Sequence, residues 1–358
     1  MITRVMRMED RFTKEPCTDR LLLISNFQGR CIANTVVDES SPRFHAQPHF
    51  HRASEKLFVN RKSVLISGAG IAGPTLAYWL LKRGYEPTLL ERASHFRQGG
   101  YMIDFWGVGF DVAERMNLIP RLRDLGYFID RVKFVNQRGR TRSSFDGGML
   151  RGALGNRFFS VPRGDLAKTI FDTIADKVEV VFGNNITFIH EEPTGVHVQF
   201  ERGEARRFDL VAGCDGLHSA VRRIAWGPER EFENYLGYYC ASLLTTNYPH
   251  REERTYTSYA EPGRQISRYA LRGNRTAFLL IFARQQLLEQ DPDQTYAKTM
   301  LRERFTDYSW VESVEILKRL ETCDDLYFDS VSQIRMPAWS KGRIVLVGDA
   351  AYCPSLLA

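Results

Sequence analysis

The chain has 358 residues, 43% apolar and 26% charged. That length suggests about two domains, and the composition excludes collagen-like, low-complexity and wholly disordered chains. The net charge of +6 divides unevenly: residues 1–62 hold 11 Lys/Arg against 7 Asp/Glu, the remaining 296 hold 38 against 36, and no basic stripe with interleaved aromatics offers a nucleic-acid groove.

Residues 1–61 carry no sustained period of 2 or 3.6, and Pro16, Pro42 and Pro48 interrupt what pattern there is. The segment reads as a poorly ordered extension, or as translation from a start upstream of the true one. His45, His49 and His51 read as solvated loop histidines rather than a metal site, and no metal is expected elsewhere. A secretory signal would need a longer apolar core. An organelle-targeting segment is disfavoured by Glu9, Asp10, Glu15 and Asp19. No apolar run approaches the roughly 18–20 residues of a membrane span. Six scattered cysteines without a C-x-x-C pair read as free thiols of a cytoplasmic protein.

At Lys62 the pattern changes. Ser63–Ser67 reads as a buried parallel strand, followed by Gly68-Ala69-Gly70-Ile71-Ala72-Gly73 and a helix with Pro74 in its first turn and Gly84 at its cap. Glu86–Glu91 reads as a second strand ending in an acid 23 residues after Gly68. Gly68 permits the tight turn, Gly70 lets a pyrophosphate approach the backbone, and Gly73 lets helix and strand pack closely. The helix N-terminus offers free N–H groups to phosphates. Glu91 can accept from ribose hydroxyls and would repel a 2′-phosphate, which fits FAD or NAD rather than NADP.

Farther along, the spacing predicts strands at Arg131–Val135, Val178–Phe182, Ile186–His190 and Val196–Phe200, and a helix from Asp165 to Ile174. The run Leu210–Gly213 ends in Asp215-Gly216, with Ser219 to Arg222 able to start a helix. Strands at Tyr235–Thr246, Arg254–Ala260, Ile266–Arg272 and Ala277–Phe282 suggest a mainly antiparallel second domain, with helices at Thr295–Phe305 and Val311–Leu320. Ile344–Val347 ends in Gly348-Asp349. Singly, each junction is an ordinary turn, since Asp-Gly is a common turn pair and Asp349 could cap a helix.

Together, the ordered motifs at residues 68, 215 and 349 resemble the class A flavoprotein monooxygenases, the group of para-hydroxybenzoate hydroxylase and the tetracycline-inactivating monooxygenases. The resemblance runs from about Lys62 to the end. It implies a Rossmann-like FAD-binding domain (62–145 with 155–230 and 335–358) and a β-sheet substrate domain (231–334). It also implies FAD as cofactor, with contacts from Gly68, Gly70, Ile71, Ala72, Gly73, Glu91 and Arg92. Asp215 and Gly216, with Ser219 and Arg222, would lie by the pyrophosphate, and Gly348 and Asp349 by the ribityl chain. Gly99-Gly100-Tyr101-Met102-Ile103-Asp104 is similar to a stretch that places an Asp near the flavin, and Val161–Leu166 to one whose arginine, here Arg163, contacts FAD. Arg97 stands one position out of step with an expected nicotinamide-cofactor arginine.

The implied reaction uses NAD(P)H as co-substrate and O2, through a flavin hydroperoxide, to hydroxylate a small aromatic or polycyclic organic substrate. The protein would act as a monomer or homodimer. Chemistry residing mostly in the cofactor leaves no general base to name. An acid at Asp104 inside an apolar stretch needs a partner or a ligand. Seven tyrosines (Tyr235, Tyr238, Tyr239, Tyr248, Tyr256, Tyr259 and Tyr269) suit a planar aromatic substrate, but equally suit sheet propensity. The family continues past Asp349 with a G-Q-G segment and a long helix, so the C-terminal part of the fold is expected to be missing. Tyr352 stands where many members carry His. A same-fold reductase or dehydrogenase, and a non-catalytic FAD-binding fragment, are the alternatives.

Overall fold

The computed structural model describes residues 61–96, 101–289 and 292–355. The expectations for residues 1–60, with His45, His49 and His51, for Arg97, Gly99 and Gly100, and for residues 356–358 lie outside the described residues.

β1 (Ser63–Ser67), α1 (Ala72–Lys82) and β2 (Glu86–Glu91) form a βαβ unit with the two strands parallel. Residue alternation sends β1 to two different cores. Val64 and Ile66 pack with Ala77 and Leu80 of α1, while Leu65 packs with Val196, Val198 and Phe208 of a three-stranded meander on the other face. This double burial makes β1 read as a continuous apolar run. Strand Leu210–Gly213 lies on the far side of β1 and is followed by Ile344–Leu346; strand Glu179–Phe182 flanks β2. Chain order therefore reverses across β1, and the strands' C-terminal ends open onto one crevice.

The second large element is an eight-stranded sheet built around Glu233–Thr246, Arg275–Ala283, Arg264–Leu271 and Thr255–Glu261. On one face, helices Gln294–Phe305 and Ser313–Glu321 bury Leu301, Phe305, Ile316 and Leu320 against Ala241, Phe278, Leu280 and Phe282. The other face turns toward the crevice. One sequence boundary shifts here. Strand Arg131–Val135 and all but the last residue of strand Thr141–Asp146 fall within the span 62–145 expected to join the dinucleotide half. They instead extend the eight-stranded sheet, because Arg131–Phe134 pairs parallel with Thr255–Ser258. Tyr352–Cys353 also pairs into this sheet, against Ile334 and Arg335. Among the described residues no helix is long and apolar enough to cross a membrane.

Beneath the helices lies a buried charged pair. Arg268 donates to Glu312 from Nε (2.8 Å) and Nη2 (3.2 Å), and the Tyr248 hydroxyl donates to the same carboxylate at 2.7 Å. Removing one partner of such a pair strands the other charge. Glu312→Gln should cost about 3–5 kcal/mol in urea unfolding. Arg302→Ala, which breaks the exposed pair with Glu321, should stay within about 1 kcal/mol of the parent.

Candidate functional site

The glycine turn is set by close backbone approaches. A Cβ on Gly73 would lie 1.9 Å from the Gly68 carbonyl oxygen. One on Gly68, at φ +104°, would lie 2.4 Å from the Cys214 carbonyl oxygen. Gly70 is different: its Cβ would meet only Arg163 Nη2, at 3.7 Å. The fold itself thus demands Gly68 and Gly73, while the space over Gly70 is left for something to approach. Ile71 and Ala72 begin α1, whose N-terminus has no side-chain cap and no acid in its first turn. Those N–H groups suit an anion. Glu91, at the end of β2, accepts from the Ala69 N–H (2.8 Å) and the Ala93 N–H (2.9 Å), fastening its carboxylate beside the turn with lone pairs to spare. Arg92 is exposed.

The other two motifs meet this turn. Val347 N–H donates to the Gly213 carbonyl at 2.9 Å, and a Cβ on Gly348, at φ +66°, would stand 2.9 Å from Ala72 Cβ. Gly216 forms the turn after Asp215. The Asp215 side chain points inward, accepting from Ser219 Oγ (2.5 Å) and the Val221 N–H (3.1 Å). Arg222 is fully buried, donating to the Ala350 carbonyl (3.0 Å), the Leu217 carbonyl (2.5 Å) and Glu229 (2.6 Å). The side chains of Asp215, Ser219 and Arg222 are thus engaged within the protein.

Asp104 lies on strand Met102–Phe105, and the antiparallel register places Ser160 directly opposite it. Ser160 Oγ donates to Asp104 Oδ1 at 2.6 Å, supplying the partner an acid in an apolar stretch requires. Arg163 opens helix Arg163–Phe171, its N–H donating to the Tyr101 carbonyl at 3.0 Å. Asp104 and Asp349 are exposed residues whose carboxyls are partly desolvated by the surrounding protein. That desolvation pushes both above the ordinary carboxyl range, with Ser160 opposing it at Asp104 and the Arg163 charge opposing it at Asp349. Burial likewise pushes the Tyr101 phenol up to about 12, with Arg163 opposing. Among the described residues the Arg163 guanidinium makes no hydrogen bond or ion pair, although Gly70, Tyr101 and Asp349 surround it.

The tyrosines separate by strand alternation. Tyr239, Tyr248 and Tyr259 belong to the helix-covered core, with Tyr235 packed against it; Tyr238 is exposed. Tyr256 and Tyr269 occupy the other face, close enough for the Asp104 charge to raise both phenols beyond the larger effect of burial. That face also carries Cys240, Leu279, Ile281, Tyr327 and Val331. The sequence reading had not singled out Ser160, His218, Tyr327 or Asp329. The acid inside the apolar run Tyr327–Val331 is the same signal that marked Asp104. Two surface cavities, about 330 Å³ beside Arg284 and Arg304 and about 340 Å³ beside Arg121 and Asp165, contain none of the expected cofactor-contact residues.

The FAD binding domain family matches residues 61–355. The chain belongs to the FAD-dependent class A monooxygenases. FAD is the cofactor of this family, and the open glycine turn, uncapped helix and unpaired Arg163 fit it. A flavin-dependent monooxygenase of Legionella longbeachae is 32% identical over 303 residues, covering 82% of this chain and 75% of that protein. An uncharacterized protein of Mycobacterium tuberculosis, Rv1260, is 34% identical over 304 residues, covering 83% and 80%. The crystal structure of tetracycline destructase Tet(51) superimposes with a TM-score of 0.73 at 30% identity, covering 82% and 76%. Klebsiella pneumoniae HpxO, solved with FAD and uric acid, shares the fold at a TM-score of 0.66 and 22% identity, covering 82% and 74%.

The monooxygenase frame separates two glycines by purpose. Gly73→Ala should destabilise the flavin-free protein by about 3 kcal/mol, since the opposing atom is backbone and cannot yield. Gly70→Ala should leave stability within about 0.5 kcal/mol while weakening FAD at least tenfold, about 1.4 kcal/mol. Urea unfolding and flavin fluorescence titration measure the two effects separately.

Proposed function

We propose that this monooxygenase inserts one atom of O2 into a small aromatic or polycyclic organic substrate, with NAD(P)H as the reductant. The observation that carries the reading is the convergence of two surfaces. The three motif loops meet at the C-terminal ends of parallel strands, and the face bearing Tyr256, Tyr269, Leu279, Ile281 and Tyr327 turns toward Asp104 beside them. Tyr256, Leu279 and Tyr327 are part-exposed there and give a planar substrate apolar and aromatic surface. Tetracycline destructase and a protein solved with uric acid share this fold, which supports a ring-system substrate.

When bound, FAD supplies the redox and oxygen chemistry. The turn Gly68–Gly73 and the α1 N-terminus would hold its pyrophosphate, and Glu91 and Arg92 its adenosine end. Gly348 and Asp349 would hold its ribityl chain, with Arg163 and Asp104 nearer the ring. Leu279, Ile281 and Val331 exclude water from the sheet side. Asp104, its carboxyl raised by desolvation, keeps a proton to higher pH than a fully solvated acid. In this reading the parallel sheet and its loops form the FAD-binding domain and residues 231–334 the core of the substrate domain. The free thiols Cys214, Cys240 and Cys323 fit a cytoplasmic setting.

The test supplies FAD, NAD(P)H and candidate ring substrates under isotopically labelled O2. The expected result is substrate-stimulated O2 uptake with one labelled oxygen in the product. Turnover that leaves the product unlabelled would replace oxygen insertion with a reductase or dehydrogenase activity. Failure to take up FAD would leave a non-catalytic chain.

A further inference from the structure

His218 lies outside the motif glycines and acids, yet its two ring nitrogens meet carboxylates from two different elements. It follows Asp215-Gly216 in the loop after strand Leu210–Gly213. Its Nδ1 stands 2.7 Å from Glu229 Oε1, and its Nε2 stands 3.0 Å from Asp329 Oδ1. Both facing atoms are carboxylate oxygens, so only the doubly protonated imidazolium can donate to both at once.

Each contact begins a chain of bonds that ends at the cleft. On one arm, the other oxygen of Glu229 accepts from Arg222 Nη2 at 2.6 Å, and Arg222 Nη1 donates to the Ala350 carbonyl at 3.0 Å. That carbonyl ends the turn Gly348–Ala350 carrying Asp349. On the other arm, the second oxygen of Asp329 accepts from the Tyr327 hydroxyl at 3.3 Å. The Tyr327 ring packs edge-on against Tyr101, with centroids 5.4 Å apart, and the Tyr101 carbonyl accepts from the Arg163 N–H. The two arms thus reach two neighbouring groups of the cleft, one at Asp349 and one at Arg163.

We propose that His218 is a positioning residue: its two ring nitrogens clamp the loop of the parallel sheet to strand Tyr327–Arg335 and thereby fix the Asp349 turn and the start of the Arg163 helix at the FAD cleft. The inference rests on the reading of that cleft as the flavin site. Among the groups that face the imidazole are Glu229, from the short turn Glu229–Glu231, and Asp329, from the strand; Arg222 stands behind the first and Tyr327 behind the second. Burial alone would push the imidazole down. The hydrogen bonds and charges of Asp329 and Glu229 outweigh it and push the group up from the ordinary 6.5 to about 10. A value raised on folding means that the clamp is fully formed below about pH 6.5 and is lost as pH rises through about 10.

The experiment has a flavin-free arm and a flavin arm. Histidine labelled with ¹⁵N in the parent protein, with His218→Gln identifying the signal, reports the ring directly. Both nitrogens should remain protonated at pH 8. Titration near the ordinary imidazole value would overturn the clamp whatever the flavin does.

In the second arm, FAD affinity is measured by flavin fluorescence. His218→Gln and the near-isosteric Asp329→Asn should each raise Kd about tenfold, and the double variant should do no worse than the singles, because the residues act as one unit. The parent's Kd should stay flat from pH 6 to 8 and climb toward pH 10. Unchanged Kd in variants with parental circular dichroism would also overturn the proposal. If His218→Gln does not fold, Asp329→Asn and the parent's pH profile decide it. A parent that binds no FAD would count against the cleft reading instead, with the nitrogen signals still reporting the clamp.

Discussion

The contact on which the site depends is the approach of the Gly73 Cα to the Gly68 carbonyl, too close for any side chain at position 73. It seats α1 on the end of β1, aiming the helix N-terminus at the crevice. Because β1 sits where strand order reverses, loops from strands on either side reach the same point without long excursions. The Gly348 turn then rests on Ala72, at the start of that helix. Displacing α1 by the width of a methyl group would therefore move two of the three motifs together.

Charge management follows from this geometry. A crevice built from strand ends is lined by backbone dipoles and a few acids, and those acids need partners where water is scarce. Glu91 is held by two backbone N–H groups, Asp104 by Ser160, and Asp215 by Ser219 and the start of a helix. Among the described residues the Arg163 guanidinium makes no hydrogen bond or ion pair, and it faces the open side of Gly70. The protein thus separates groups that hold the scaffold from groups left for a ligand, although several came from the same short motifs.

The eight-stranded sheet performs the complementary task by alternation. One face is spent on Leu301, Phe305, Ile316 and Leu320 of the covering helices, with the buried Arg268–Glu312 pair among them. The opposite face is left to meet the crevice. Tyrosines two residues apart on a strand share a face, while neighbours do not, which is why Tyr256 reaches Asp104's field and Tyr259 packs on Trp310.

Local sequence determined the strand–turn–helix–strand unit, the need for Gly68 and Gly73 and the acid ending β2, because each is a short-range requirement of backbone geometry, while the ordered motifs at 68, 215 and 349 carried the resemblance to the family. It also marked Asp104 as an acid in need of a partner. Tertiary structure alone decided that the partner is Ser160, that Arg222 turns inward, that residues 131–146 extend the second sheet, and that two of seven tyrosines sense Asp104. Those outcomes depend on strand register and on which face each strand buries against elements distant in the chain. His218 is the clearest case. Its partners lie 11 and 111 residues away, and no local pattern around a histidine in a turn encodes a carboxylate arriving from another sheet.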